Sequence, residues 1–446
     1  MARTYLTLGV LATTLLLSFT AFSSTYVILP DMVLLEKCEA MGVPAGQCDS
    51  SHPSFVQAQA EQASFMSMFT VVTNVPCLFL CALFAHLSDR VGRKPFLLMT
   101  GLQGALSSGL MLWRGVARSD VVAACTCLRL LGGSIFGTVG NCMAAAADVT
   151  VEWSSKDRAR VFSGLEGAIW IGQLLGPVTG GVASNLLGPQ RSLVFATVVF
   201  ALSLLVVLVS LPETLPREQR LPFTWRKANP LGGVVVAWRF PVCLVLAAAF
   251  FFAQFSAGFG GSLWPLYCKK EFQWPDGTIG ALMSVCFTAN AVGLIIIMPI
   301  LAAWASPKAI LVTSVASGCV MWSLFATTAT AWHFFAVACI GAGAAMMYPV
   351  IRNSLATMLG PQLYGAGLGL VALVEMINAM IGPALGNQAF RIFEVQGMPD
   401  SLAFAIAAAA LLVALVVFAC VPGKQLSFER GCQTERLCEV EEVCGA

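Results

Sequence analysis

Three ionisable residues stand inside long apolar stretches, where a charge is unfavourable. Arg129 lies about nine residues beyond Asp120, where one stretch begins, and Glu375 lies eleven residues after Tyr364 in another. Glu166 lies nearer to the end of its stretch. A charge near the middle of a bilayer costs roughly 2.5–3.5 kcal/mol on insertion scales, so such a residue faces a partner or a wet cavity. These three residues are therefore candidates for binding a solute or carrying protons.

Glu375 has no basic residue within two helical turns along the chain, so we expect an isolated carboxyl group. Burial disfavours the charged form of such a group, which could then carry a proton. Asn378 is three residues further on, on the same helix face, and could bind it. The alternative is a neutral, hydrogen-bonded structural side chain. Glu166 has three possible cationic partners, between which the sequence does not choose: Arg129, Lys156 and Arg160.

A dense group of charges joins the second and third apolar stretches. Its charged and turn-forming residues are Asp89, Arg90, Gly92, Arg93 and Lys94. Gly92 permits a tight turn, and Asp89 could pair with Arg93 or lie against a helix N-terminus, where negative charge is favoured. Basic residues alone would satisfy ordinary membrane topology, so the acid and the glycine indicate a more structured element.

The elements that must position these residues are membrane-spanning helices. The 446 residues are 58% hydrophobic and 11% charged, with a mean hydropathy of +0.81, whereas about 25% of a soluble domain is charged. This excludes a soluble enzyme, and a net charge of +2 is too small for a nucleic-acid binder. A span needs roughly 20 apolar residues. We predict twelve spans: 5–35, 64–87, 95–113, 120–147, 161–187, 192–213, 241–267, 278–304, 309–329, 331–350, 364–390 and 400–421.

The spans predict an all-α membrane protein with twelve transmembrane helices in two six-helix pseudo-symmetric bundles. The predicted parts are an N-terminal bundle, a central loop, a C-terminal bundle and a tail: 1–213, 214–240, 241–421 and 422–446. Gly382 and Pro383 repeat the pair Gly176 and Pro177, which is a signal for two related halves. Most Lys and Arg residues fall in loops on the side of the termini, which predicts both termini in the cytosol. The membrane concerned is left open.

Cys38 and Cys48 share the first long loop, on the side predicted to be outside. A disulfide between them is possible in an oxidising compartment. The alternative is that both remain free thiols.

The charged loop resembles the signature G-x-L-x-D-R-x-G-R-K-x-x-L of the major facilitator superfamily. The matching residues are Leu87, Asp89, Arg90, Gly92, Arg93, Lys94 and Leu97, and Ala85 replaces the first glycine. The resemblance implies a secondary transporter that moves a small organic solute by alternating access. It also implies that Asp148 pairs with Arg93 to close the cytosolic gate, the alternative being a solvated surface acid.

Two further patterns carry the same resemblance. Arg129, Gly133 and Gly137 match R-x-x-x-G-x-x-x-G in the family's fourth helix, which implies a role for Arg129 in handling substrate or protons. The alternative is a buried Arg that binds backbone carbonyl groups. The fifth span matches a signature linked to proton antiporters, which favours export, although simple helix packing would use the same residues: Gly172, Gly176, Pro177, Gly180 and Gly181.

Short runs around Asp148, Glu166 and Arg352 also resemble the proton-coupled folate transporter family. That resemblance ties Glu166 and Arg352 to proton coupling and offers uptake of a folate-like organic anion as an alternative function. A non-transporting receptor on the same fold is a further alternative, against which Arg129 and Glu375 argue. The sequence has no H-E-x-x-H, G-x-S-x-G or P-loop motif. We therefore expect no enzyme, no cofactor and no metal, and a monomer whose partners are a small solute, protons and lipid, without nucleic acid.

Overall fold

The computed structural model describes residues 2–43, 54–132, 134–150, 152–153, 155–220, 238, 240–302, 304–328 and 330–422. Every regular element in these ranges is helical, which confirms the predicted all-α fold. The tail and most of the central loop lie outside the described residues. In the described part of that loop, one 3-10 turn forms at Arg217–Gln219.

The first six predicted spans form seven helices. They are α1 (Ala2–Ala40), α2 (Phe55–Val91), α3 (Arg93–Arg114), α4 (Ser119–Gly132), α5 (Ser134–Val149), α6 (Ser155–Leu187) and α7 (Pro189–Ser210). The predicted fourth span is thus divided into α4 and α5. Gly133, at the boundary, lies outside the described residues.

The last six predicted spans form seven more helices. They are α8 (Pro241–Phe272), α9 (Asp276–Val292), α10 (Met298–Ala302), α11 (Pro307–Thr327), α12 (Ala331–Ile340), α13 (Met347–Gln396) and α14 (Leu402–Cys420). A π-helical turn at Gly293–Ile297 joins α9 to α10, and a 3-10 segment at Gly341–Met346 joins α12 to α13. α13 keeps a helical backbone throughout, but it cannot be straight, because Arg352 and Glu375, 23 residues apart in it, form an ion pair at 2.9 Å. The predicted connection at 351–363 lies where the chain must turn back, between the spans Ala331–Arg352 and Leu370–Gln396. Its Pro361 removes one backbone donor, which membrane helices accommodate.

The two bundles are built in the same way. In the N-terminal bundle α1 packs along α6 and α7, and in the C-terminal bundle α8 packs along α13 and α14. The bundles meet along two helix pairs, α6 with α9 and α2 with α13. These pairs bring residues far apart in the chain to the same interface. We call the end of the molecule that carries Gly92 the Gly92 end, and the other the far end.

The described helices suit a bilayer. Eleven helical stretches, some of which join two helices across a short irregular turn, are long and apolar enough to cross a membrane. The predicted fifth span, in α6, is not in that set because its glycines, Glu166 and Gln173 lower its hydropathy. It packs against α1 and α9, and its Glu166 pairs with Arg352 of the other bundle. Large apolar side chains are exposed on α3, α7, α11 and α14: Leu106, Leu205, Val320 and Leu412.

Candidate functional site

Arg93 organises the turn at the Gly92 end. Its Nη2 lies 2.7 Å from Asp89 Oδ1, its Nε lies 3.0 Å from Asp148 Oδ2, and its Nη1 donates to Ser88 Oγ at 2.6 Å. Arg93 is buried, so its charge requires these partners. The pairs inferred from sequence, Asp89 with Arg93 and Asp148 with Arg93, are therefore in contact. Their role as a gate stays a prediction.

Glu213, which the sequence analysis did not identify, completes this network. Its carboxylate accepts hydrogen bonds from the backbone N–H groups of Arg93, at 2.8 Å, and Lys94, at 3.3 Å. These are the free donors at the start of α3, where negative charge is favoured. Gly92 has φ 123°, and a side chain there would collide with the Glu213 carboxylate. An acid directly after an apolar span, facing a charged helix start, is the signal that could have revealed it.

The other two residues of the turn face outward. Arg90 is exposed. The Nζ atom of Lys94 donates to the carbonyl oxygen of Leu208 on α7 at 2.9 Å. Arg93 is therefore the residue of the turn that ties α2, α3 and α5 together, and Lys94 fastens α3 to α7.

A second ionic group joins the two bundles. Arg352 on α13 pairs through Nη1 with Glu166 on α6, and its Nη2 lies 2.9 Å from Glu375 Oε1. The expectation of an isolated Glu375 is wrong, because Arg352 comes back beside it from 23 residues earlier in the chain. Arg352, which was not among the partners considered for Glu166, is also the one that binds it. We call Glu166, Arg352 and Glu375 the central triad.

Asn378 does not bind Glu375 as the sequence suggested. Its side-chain nitrogen instead donates to the carbonyl oxygen of Val374, one turn earlier in its own helix, at 3.0 Å. Its Oδ1 atom is buried and has no hydrogen-bond partner among the described residues. Arg129 is half-buried and forms no ion pair or hydrogen bond within the described part of the chain. Both residues thus retain hydrogen-bonding groups that a solute or water could use.

Aromatic and amide groups lie beside the central triad. Tyr348, one turn before Arg352, donates a hydrogen bond from its hydroxyl to Gln254 Oε1 at 2.6 Å. Its ring contacts Trp170 edge-on at 6.4 Å and Phe250 at 5.8 Å between ring centroids. Trp170 is one turn after Glu166, so both bundles supply an aromatic ring and an ion. The sequence analysis did not identify Tyr348 or Phe250, because aromatic residues are common in apolar helices.

The glycine motif of α6 packs closely on α1. A Cβ atom at Gly172 would lie 2.7 Å from the carbonyl oxygen of Leu16, and one at Gly176 would lie 2.6 Å from that of Thr20. Gly180 lies against Ser24 in the same way. Glycines at these spacings form one face of the helix and let the two backbones approach.

Neighbouring residues of the motif face α9 in the other bundle. A Cβ atom at Gly181 would lie 2.6 Å from the carbonyl oxygen of Asp276, and Gly280 lies against the carbonyl oxygen of Pro177. In the fourth span, Gly137 lies against Gly132. Three of the predicted packing residues thus stand at backbone contacts with α1 and two at the contact between the bundles.

Cys38 is disulfide-bonded. Cys48 lies outside the described residues, so the pairing of Cys38 with Cys48 stays a prediction. Within the described ranges, no three or more His, Cys, Asp or Glu side chains are placed to hold a metal ion. A cleft of about 760 Å³ opens at the far end between α1, α2 and α13, lined by residues that include Lys37, Phe65 and Arg391. It lies away from the central triad.

Comparison with known proteins extends the resemblance to the whole chain. The family model described as the Major Facilitator Superfamily matches residues 11–383 and 246–427. The class H tetracycline resistance protein of Pasteurella multocida is 25% identical over 304 residues, which cover 68% of this chain and 74% of that protein. A solved structure of the nucleoside transporter NupG covers 94% of this chain and 98% of its own with a TM-score of 0.65 and 14% identity. The human organic anion transporter MFSD10 covers 93% and 99%, with a TM-score of 0.60 and 18% identity.

Proposed function

The chain belongs to the major facilitator superfamily of membrane transporters for small solutes, and we propose that it exports a small organic solute in exchange for protons. The proposed cycle is alternating access, in which the site between the bundles opens to one side and then to the other. The two bundles, 1–213 and 241–421, are the proposed moving bodies. The proposal includes a monomer with both termini in the cytosol.

The central triad is the observation that carries the proposal. It holds two carboxylates and one guanidinium, and Arg352 binds one carboxylate from each bundle. The side chain of Glu375 is 17% exposed and that of Glu166 is 35% exposed. A proton on Glu375 would remove the ion pair between Glu375 and Arg352. The ion pair between Arg352 and Glu166 would remain. Proton binding in the C-terminal bundle would therefore change the contact between the bundles.

The direction of transport follows from the fifth-span motif. Residues 172–181 carry the pattern linked to proton antiporters, and its glycines lie at contacts with α1 and α9. Several relatives are tetracycline resistance proteins, and export of a drug is one way to confer resistance. The aromatic rings of Trp170, Tyr348 and Phe250 beside the triad suit a solute with a planar apolar part.

Uptake of an organic anion is the second candidate function. It is favoured by Arg129, a half-buried cation with no ion pair among the described residues. A solute carboxylate could pair with it, since an intramembrane cation is stabilised by a negative partner. One structural neighbour is named as an organic anion transporter. A receptor that does not transport is the third candidate, and the ionic groups at the bundle interface argue against it.

The proposal is tested in proteoliposomes with a pH gradient. Tetracycline is the first probe, and a thermal-stability screen at acidic and neutral pH supplies further ligands, because a ligand that binds the folded state raises stability. We expect Glu375→Gln to abolish pH-driven transport and to leave solute exchange at equal pH. The amide cannot take up a proton at this position but retains the shape of the side chain.

Glu394→Gln is the matched control. Glu394 is a buried acid on the same helix, 3.0 Å from Lys270 at the far end, and it touches neither the triad nor its aromatic neighbours in the described contacts. Its variant should keep pH-driven transport. Wild-type pH dependence in Glu375→Gln would contradict proton coupling through the triad. Accumulation against a solute gradient in the inward direction would replace export by uptake.

A further inference from the structure

The far end carries an ionic cluster that crosses between the two bundles. Lys269 Nζ on α8 lies 2.8 Å from Asp31 Oδ1 on α1 and 3.4 Å from Asp276 Oδ1 at the start of α9. Ser184 on α6 donates a hydrogen bond to Asp276 Oδ2. Asp31 and Ser184 belong to the N-terminal bundle, and Lys269 and Asp276 to the C-terminal bundle. We call these four residues the cross-bundle cluster.

A small cavity, lined by both polar and apolar side chains, lies beside the cluster. Its volume is about 10 Å³, and Asp31, Lys269, Asp276, Gln59 and Gln62 are among the residues that line it. This is close to the smallest cavity that accommodates one water molecule. The cluster is therefore a confined polar site.

Two glutamines of α2 line the cavity, and each keeps one buried hydrogen-bond acceptor without a partner among the described residues. Their amide nitrogens are used, since Gln59 donates to the carbonyl oxygen of Leu266 at 3.0 Å and Gln62 donates to that of Pro30. Both Oε1 atoms are buried and have no hydrogen-bond partner among the described residues. Gln59 is 0% and Gln62 2% exposed. Buried acceptors of this kind normally receive a hydrogen bond from a donor, so the site has more hydrogen-bond acceptors than donors.

The charges of the cluster lead to the same conclusion. Two carboxylates share one ammonium group, since Asp31 Oδ1 and Asp276 Oδ1 lie 2.8 and 3.4 Å from the same Lys269 Nζ atom. The other described groups that face Asp276 are neutral: Ser184 and Asn185 from α6, and Gln59 and Gln62 from α2. The Asp276 side chain is 4% exposed and that of Asp31 is 12% exposed. Two like charges at such a site disfavour each other, and a proton on one of them turns repulsion into a hydrogen bond.

We propose that the cross-bundle cluster is a proton-binding site, and that the bound proton holds the far ends of the two bundles together. When the far end is closed, Lys269 balances one carboxylate and the proton neutralises the other. When the far end opens, Asp31 and Asp276 separate into water and the proton leaves. Because the closed state binds the proton more tightly, acid favours closure and alkali favours opening. This site is separate from the central triad and goes beyond the proposed coupling.

The test measures opening directly, without a solute. Ile279, 2% exposed, lines the cavity next to Asp276, so a cysteine there becomes reactive when the bundles part. The variant Ile279→Cys is placed in lipid nanodiscs, treated with a maleimide from acidic to alkaline pH, and the labelled peptide is quantified by mass spectrometry. Maleimide reacts with the thiolate, whose fraction itself rises with pH, so labelling is expressed relative to that of the exposed Cys420 in the same protein. We expect this relative labelling to be slow in acid and to rise with pH, by up to about tenfold per pH unit for one linked proton.

Three further variants in this background assign the proton to the cluster. Asp276→Asn should keep labelling slow at every pH, because the amide cannot ionise and Lys269 still pairs with Asp31. Ser184→Ala removes a hydrogen bond that favours the carboxylate, so its transition should move to higher pH. Asp400→Asn is the matched control. Asp400 lies 2.6 Å from Lys270, which also pairs with Glu394 at the far end. These three residues all belong to the C-terminal bundle, so labelling of this variant should equal that of the Ile279→Cys protein.

Each outcome decides the proposal. Labelling of the parent that does not depend on pH overturns it, and so does an Asp276→Asn protein that keeps the parent's transition. If Asp276→Asn does not fold, the shift in Ser184→Ala decides instead, and an unshifted transition overturns the proposal. Failure of the solute-coupling proposal leaves this assay unchanged, because labelling needs neither a solute nor Glu375.

Discussion

At the level of single side chains, the ionic groups at Arg93 and Arg352 share one arrangement, in which two acids surround one buried or half-buried base. Arg93 lies between Asp89 and Asp148, and Arg352 lies between Glu166 and Glu375. The base can then lose one partner and remain paired, so a change of partners leaves no buried cation without a counter-charge. Such groups suit a protein that changes conformation and must remain stable in each state.

The first prediction at this scale concerns Asp89. Asp89→Asn removes one of the two charges that hold Arg93 and weakens whichever conformation this contact stabilises. We expect turnover to fall by about three- to tenfold, which corresponds to a change in barrier of roughly 1 kcal/mol, while solute binding is retained. Transport rates in proteoliposomes and ligand-induced thermal stabilisation measure the two quantities separately.

The matched control is Asp120→Asn at the other end of the protein. Asp120 is an exposed acid that also pairs with arginines, Arg114 at 2.9 Å and Arg118 at 3.1 Å. Exposed pairs of this kind contribute little to stability, so the control should turn over at the parent rate. Equal rates for Asp89→Asn and the control would count against a gate at Arg93.

The sequence predicts which side chains are ionic and inside the membrane better than it predicts their partners. Arg129, Glu166 and Glu375 stand out because charges are rare in apolar stretches. Arg352 was assigned to a loop, and its distance of 23 residues from Glu375 matches no helical spacing, so that pair depends on the tertiary fold. The free Glu375 expected from its neighbours in the chain was wrong for this reason.

At the level of helices, the glycine faces decide which elements can approach closely. Gly172, Gly176 and Gly180 lie on the backbone of α1. In the second half, Gly382 lies 3.1 Å, measured from an ideal Cβ position, from the Cα atom of Gly258 on α8, and Gly386 lies against Phe259. The pair α8 and α13 of the C-terminal bundle is thus packed in the same way as the pair α1 and α6 of the N-terminal bundle. This is the structural form of the repeat in the sequence.

The prediction at this scale is that Gly176→Ala separates α1 from α6. Its Cβ atom would lie 2.6 Å from the carbonyl oxygen of Thr20 and 2.7 Å from the backbone nitrogen of Ser24. Both atoms belong to the backbone of α1, so no side-chain rotation can relieve the clash. Overpacking of this kind costs about 1–3 kcal/mol. We therefore expect a lower melting temperature in detergent and slower transport.

Gly167→Ala provides the comparison in the same helix. A Cβ atom at Gly167 meets nothing within 4 Å, and alanine favours helix more than glycine does. Its melting temperature should equal or exceed that of the parent. A Gly176→Ala protein as stable as Gly167→Ala would contradict close packing on α1.

Helix positions were predictable because the thickness of the hydrocarbon layer sets the length of each apolar stretch. The predicted connection at 351–363, which holds Gly360 and Pro361, agrees with the chain reversal that the Arg352–Glu375 pair requires, although the backbone there is helical. The fifth span was predicted as an apolar stretch, although its hydropathy is too low for it to count among the eleven spans of the structure.

For the whole molecule, the most extensive described contacts between the bundles lie along α6 with α9 and α2 with α13. At the far end these pairs are close, since Ser67 on α2 donates to the carbonyl oxygen of Ala384 on α13 at 2.9 Å and Ser284 on α9 donates to that of Leu174 on α6 at 2.7 Å. The far end is therefore closed in this conformation. Opening it must break these hydrogen bonds together with the cross-bundle cluster.

The prediction at this scale is the orientation in the membrane. Epitope tags at the N-terminus and at the C-terminus should both be hidden from antibody in intact cells and become accessible after permeabilisation, because basic loops remain in the cytosol. A tag inserted between residues 44 and 53 should be accessible in intact cells if the protein is in the plasma membrane. A terminus that binds antibody without permeabilisation would contradict the predicted orientation.

The lipid-facing helices have a further consequence, for the thickness of the bilayer. α3, α7, α11 and α14 have 22, 22, 21 and 19 residues, which gives heights of about 29–33 Å at about 1.5 Å per residue. These heights match a hydrocarbon layer of roughly 30 Å. A bundle that rocks must tilt these lipid-facing helices, so the surrounding lipid has to thin or thicken locally at each change of conformation. In the proposed cycle, hydrophobic mismatch therefore contributes to the energy difference between the conformations, so a bilayer of the wrong thickness would favour one of them even when solute and pH are unchanged.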